Sequence, residues 1–170
     1  MKLPPRRRPL GTSIAELPVT LWVFIFFMVM PLIDLVTLGC RATLAYSGVR
    51  EATTKAALES SLTKSITTAG AVLGSHQASW SGVSYSNTKL YVVQVDQSGV
   101  ETEGGADAPW TGVINQQDVY LLRLRTSASL DPIINLAPSG TWNSVPGLTS
   151  PITLTFTYQV ATEHPEGIVN

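Results

Sequence analysis

The first third of the chain is dominated by a single apolar run. From Leu17 to Ile33 it reads LPVTLWVFIFFMVMPLI with no charged residue, and beyond Asp34 it resumes as LVTLGC. Together these make about 24 residues, enough to span a hydrocarbon core of roughly 30 Å at 1.5 Å per residue. A secretory signal carries only about 7–15 apolar residues before a small-x-small cleavage site. No such site follows here, so the segment is expected to stay in the bilayer. Pro18 falls near the expected first turn, where a missing N–H costs little. Pro31 lies inside the span and should kink it, since it cannot donate to the carbonyl four residues back.

After the span the period stays helical. Ala45, Val49, Ala52 and Ala56 recur every 3–4 residues, with Glu51, Lys55 and Glu59 as an i,i+4 charge row. A second apolar row, Leu58, Leu62, Ile66, Ala69 and Leu73, lies on a different face. Residues 41–73 are therefore expected to continue as one helix. Its lower face would meet neighbouring helices and its upper face its own domain, unless the whole is a plain stem with imperfect amphipathicity. Gly70 and Gly74 mark the expected stop.

Beyond residue 75 the chemistry shifts to Ser, Thr, Gly and β-branched residues. Segments 89–95 (KLYVVQV), 118–125 (DVYLLRLR) and 152–160 (ITLTFTYQV) read as strands. In the last, Ile152, Leu154, Phe156, Tyr158 and Val160 alternate with Thr153, Thr155, Thr157 and Gln159, so one face should bury against the helix and the other meet solvent. Loops 96–117 and 126–151 are longer than ordinary connections. The expected fold is α+β: a long N-terminal helix, part transmembrane and part stem, packed on a small antiparallel sheet. The divisions are a leader at 1–11, a membrane helix at 12–40, a helical stem at 41–74 and a β-rich domain at 75–170. Trp80, Trp110 and Trp142 stand in loop-like contexts, better suited to capping a small core than to stacking on a ligand.

Charge adds orientation. Lys2, Arg6, Arg7 and Arg8 precede the span without an acid, whereas from Arg41 onward there are 7 Lys+Arg against 10 Asp+Glu. Basic flanks stay cytoplasmic, so the rest of the chain is expected to face the periplasm or exterior of a bacterial inner membrane. A mildly acidic domain is a poor match for nucleic acid. Cys40 is the only cysteine, and His76 and His164 stand without close second ligands, so neither an internal disulfide nor a metal centre is expected. His164, in Glu163-His164-Pro165-Glu166, reads as part of a solvated tail. No GxSxG, HExxH or phosphate loop with Gly-Lys-Ser/Thr occurs, so neither an enzyme nor a cofactor is expected.

Two acids bracket the apolar run. Asp34, seven residues before Arg41, reads as a boundary carboxylate reaching water at the outer interface. Glu16 interrupts an otherwise apolar stretch, and an acid inside a span costs about 2.5–3.5 kcal/mol on insertion scales, so a partner is expected. Residues 6–16, RRRPLGTSIAE, show a basic leader ending in Gly11 with Glu16 five residues later. This resembles the type IV prepilin signal, and the resemblance implies cleavage by a prepilin peptidase between Gly11 and Thr12. The cut would remove all four basic residues and leave an α-amino group. Glu16 can then neutralise that ammonium, its own or a neighbouring subunit's, drawing subunits together and fixing their register.

Within that group, Glu16, Pro31, Asp34 and the following helix AYSGVREATTKAALESS are similar to TadE-like and TadG-like proteins of the tight-adherence (Flp) pilus, a likeness covering residues 11–60. It implies a minor pilin or pseudopilin that supports pilus biogenesis and adherence, with other pilin subunits, the membrane and the peptidase as partners. The alternative is an uncleaved, membrane-anchored binding module, which would be indifferent to changes at Gly11.

Overall fold

The computed structural model describes residues 12–133, 146–147 and 149–169, with side chains from Glu16 onward. The leader 1–11, including Gly11, the side chain of Thr12, and Trp142 lie outside the described residues.

The apolar run forms helix α1 (Thr12–Phe24), a π-helical turn (Ile25–Val29) and helix α2 (Met30–Ala57). Because helix already begins at Thr12, Pro18 sits inside α1 rather than in its first turn. Pro31 opens α2 directly after the π turn. A proline there cannot bond to the carbonyl of Phe27, and the wider turn before it is where the hydrogen-bond ladder absorbs that loss.

The stem is not one continuous helix over residues 41–73. The chain breaks after Ala57 and returns alongside α2 as α3 (Leu62–Ser79). Ser65 Oγ donates to the Ala56 carbonyl (2.8 Å) and Thr68 Oγ1 to Glu59 Oε1 (2.8 Å), which hold the turn closed. Further along the pair, His76 Nε2 lies 2.9 Å from Glu51 Oε2. The row Ala45, Val49, Ala52 and Ala56 is fully buried in the protein's own core, not free to face neighbouring helices. Its small side chains let α3 and the sheet approach α2 closely. Gly70 and Gly74 do not stop the helix; they lie on its exposed side and α3 runs on to Ser79.

Four strands follow: β1 (Val83–Val95), β2 (Glu101–Ala106), β3 (Val119–Leu130) and β4 (Ile152–Ala161), in the order β2-β1-β3-β4 with every pairing antiparallel. The helix pair covers one face of this sheet, giving an α+β fold. Along β3 the inward residues Tyr120, Leu122, Leu124, Thr126, Ala128 and Leu130 are all buried. Each buried leucine contributes about 1.5–3 kcal/mol against leaving it in water. On β4 the aliphatic and aromatic positions are half-buried and the threonines exposed, as the alternation predicts. Tyr46 of α2 meets the rings of Phe156 and Tyr158 at 6.3 and 6.0 Å.

Strand β2 lies within the segment expected to be a loop at 96–117, and β3 reaches five residues into the expected loop 126–151. The tail is packed rather than solvated: Pro165–Val169 forms a 3-10 turn, Ile168 is buried and its carbonyl accepts from Trp110 N–H at 2.9 Å. Trp110 caps the core against Tyr120 at 6.2 Å between ring centroids, whereas Trp80, just past α3, is largely exposed.

Candidate membrane and assembly surface

The sheet domain occupies only the upper part of the long helix. Leu38 and Ala42 pack beside Leu130, Ile152 and Leu154 at the lower end of the sheet, while Val49, Ala52 and Ala56 meet Leu122 and Leu124 higher up. Below Pro31 the helix has almost no cover from the rest of the chain. Leu17, Leu21, Trp22, Phe24, Phe27 and Met28 are exposed on all sides, and so, further up, are Leu32, Ile33, Leu35 and Val36. Such an all-round apolar surface requires lipid or other helices as its solvent. By length and composition, the rod Glu16–Ala57 is able to cross a membrane.

The two bracketing acids have different surroundings. Glu16 is exposed at the foot of the rod, its carbonyl accepting from Thr20 Oγ1 at 3.0 Å. Asp34 does not reach out to water as a boundary residue: it is 0 % exposed, enclosed by protein. Arg41, two turns on, reaches the lower end of the sheet. Its guanidinium lies over Gly82 and donates to the Asp131 carbonyl, tying α2 to the start of β1 and the end of β3. Gly82 has φ +78°, and a side chain there would collide with that guanidinium.

Higher up, α2, α3 and β1 meet at Gly48. A methyl group at this position would lie 2.6 Å from the Tyr85 hydroxyl and 3.1 Å from His76 Nδ1. Tyr85 donates to the Ala45 carbonyl at 3.4 Å, and burial raises its pKa. Glu51 on the neighbouring turn is held down to about 2 by hydrogen bonds from Lys55 (2.7 Å) and then His76, so it stays ionised across the ordinary pH range.

The sheet face turned away from the helices is polar. Its cross-strand rows run from hydroxyls at the lower end (Ser84–Ser129–Thr153, Ser86–Ser127–Thr155) to charge at mid-height (Lys89–Arg125–Thr157). Arg123 reaches Glu103 (2.8 Å), Glu101 and Gln159, and the two glutamates raise its pKa, Glu101 foremost. Arg125 stacks over the Tyr91 ring at 4.9 Å.

A pocket of about 150 Å³ between α3 and β1 is lined mainly by Ile66, Ala69, Leu90 and Leu124. Its one carboxylate, Asp107, is already engaged by Lys89 Nζ and the Leu90 N–H, each at 2.8 Å. Among the described residues no group of three His, Cys, Asp or Glu is placed to hold a metal ion. The features that stand out are therefore the bare helix, its exposed acid and its enclosed acid. Sequence reasoning identified both acids but not the enclosure of Asp34. Compared with known proteins, the chain matches no family model, no curated protein and no solved structure.

Proposed function

We propose that the protein is a pilin-type structural subunit, a minor pilin or pseudopilin of a tight-adherence (Flp) system. In this reading a prepilin peptidase cleaves it after Gly11 and it assembles laterally through its N-terminal helix. The observation that carries the reading is the basic leader ending in Gly11, with Glu16 five residues later at the exposed foot of an uncovered apolar rod. Removal of the leader leaves an ammonium at Thr12, about one helical turn below Glu16. In a low-dielectric bundle an unpaired carboxylate is costly, so each Glu16 gains most by meeting an ammonium, its own or a neighbour's.

Division of labour between the two ends of the molecule also supports this reading. The sheet domain completes its own core with α2 and α3, leaving the rod free to pack in a bundle. Orientation follows from the basic leader, with the N-terminus cytoplasmic and the sheet domain outside the inner membrane. Glu16→Ala should leave membrane insertion intact and abolish incorporation into the assembled fibre, read by fractionation of sheared surface filaments. Normal incorporation of that variant would remove Glu16 from the mechanism.

A further inference from the structure

The described apolar surface of the rod and the position of Asp34 do not end at the same height. Exposed large apolar side chains run from Leu17 to Val36, about 30 Å of helix at 1.5 Å per residue, the thickness of a bilayer's hydrocarbon core. Leu35 and Val36 are each 61 % exposed, and Val36, two residues before the sheet-facing Leu38, falls on the opposite side of the helix from it. Asp34 sits about 3 Å below the upper end of that run and is fully enclosed. If lipid covers Val36 on one side of the helix, protein must stand at nearly the same depth around Asp34 on the other.

The structure places such protein there. A Cβ on Gly147 would lie 2.7 Å from Leu38 Cδ1. Side chains on a helix lean toward its N-terminus, so the turn touching that methyl lies below the Leu38 Cα, near the height of Val36 and Thr37. This turn is pinned by the Gly147 N–H donating to the Ser150 carbonyl at 2.8 Å and by the bridge between Pro146 and Ser150. Gly147 takes φ +86°, which favours glycine, while Pro146 is exposed beside it.

We propose that the base of the sheet domain, the turn Pro146–Gly147 with Ser150, is seated in the interfacial layer of the bilayer, its partner being the lipid headgroup and upper acyl region. Asp34, about 3 Å below Val36, then lies at membrane depth but enclosed by protein, with Val36 facing acyl chains on the opposite side of the helix. The sheet domain is thereby held against the membrane, not raised above it on a stalk. This inference rests on the helix crossing a membrane, and not on cleavage or assembly.

The test uses the full chain in a Cys40→Ser background, reconstituted in phosphatidylcholine vesicles. Single cysteines at Phe27, Val36, Pro146 and Val113 carry an environment-sensitive fluorophore; Val113, 90 % exposed, lies at the far end of the domain. Lipids bearing a nitroxide shallow or deep in the acyl chain quench from the membrane, and iodide quenches from water. Shallow nitroxide is expected to quench Pro146 and Val36 severalfold more than Val113, while Phe27 responds most to the deep probe. A Ser150→Cys label probes the same turn a second way. Iodide quenching at Pro146 and Ser150 equal to that at Val113, with Phe27 still in lipid, would overturn the proposal alone. Iodide quenching at Phe27 as well would remove the membrane span itself. A Val36 label shielded from both quenchers would put a neighbouring helix, not lipid, opposite Asp34 and also overturn it.

Discussion

Gly48 is the point where α2, α3 and β1 come closest, and a double-mutant cycle there tests the packing account. Gly48→Ala has two opposed effects. Replacing glycine by alanine inside a helix gains about 0.8–1 kcal/mol through lower unfolded-state entropy and better propensity. Against it, the new methyl would stand 2.6 Å from the Tyr85 hydroxyl, well inside contact distance. Overpacking of this kind costs about 1–3 kcal/mol, so the single variant should lose up to about 2 kcal/mol net. Tyr85→Phe removes the hydroxyl, at the cost of a long 3.4 Å bond to the Ala45 carbonyl, a loss of about 0.5 kcal/mol. In the Tyr85→Phe background the severest clash is gone and only the milder 3.1 Å approach to His76 Nδ1 remains, so Gly48→Ala should become close to neutral. The expected coupling is about 1–3 kcal/mol, within the range for residues in contact. Urea titration of the full chain in detergent micelles, followed by tryptophan fluorescence, measures all four corners. A coupling below about 0.5 kcal/mol would show that the three elements do not meet as described.

Other consequences follow from the same geometry. Leu124→Ala, at a fully buried position in the middle of β3, should cost about 2–5 kcal/mol in the same titration. Arg123→Ala should cost about 1–2 kcal/mol by leaving Glu101 without its cation and Glu103 with only the longer 3.5 Å contact to Arg125, and the loss should shrink in high salt. The Glu51 carboxylate is stabilised in the folded state, its pKa falling from 4.5 to about 2. Its contribution is therefore complete above pH 4.5 and lost as pH falls toward 2. Thermal scans should show Glu51→Gln converging on the parent across that window; a difference that persists unchanged at pH 2 would contradict the clamp.

What the sequence disclosed, and what it hid, divides by the range of the interactions involved. The membrane rod and β4 are legible because their signals are local: a long uncharged run in one case and strict alternation in the other. The cores of β1 and β3 are legible for the same reason. The turn at Leu58–Ser61 contains neither glycine nor proline, and both apolar rows flanking it keep helical spacing. Only tertiary bonds, such as Ser65 to the Ala56 carbonyl, declare the break. Strand β2, ETEGGA, has poor intrinsic β character and two adjacent glycines. It is held by pairing with β1 and by Arg123 reaching across to its glutamates. Asp34 read as a boundary residue because it closes an apolar run, whereas it is fully enclosed in the fold, and burial is not a property of the local pattern. Of the candidate surface, Glu16 and the bare rod were legible, and the contact of the Gly147 turn with Leu38 was not.

The central claim is that this chain is processed as a prepilin, and the N-terminus of the mature protein tests it most directly. The protein should be purified from membranes of cells with and without a prepilin peptidase, then subjected to intact mass measurement and N-terminal sequencing. The account predicts a chain beginning at Thr12 when the peptidase is present and at Met1 when it is absent. A chain retaining the leader in both cells would contradict it, leaving a membrane-anchored domain in which Gly11 and Glu16 have no paired role.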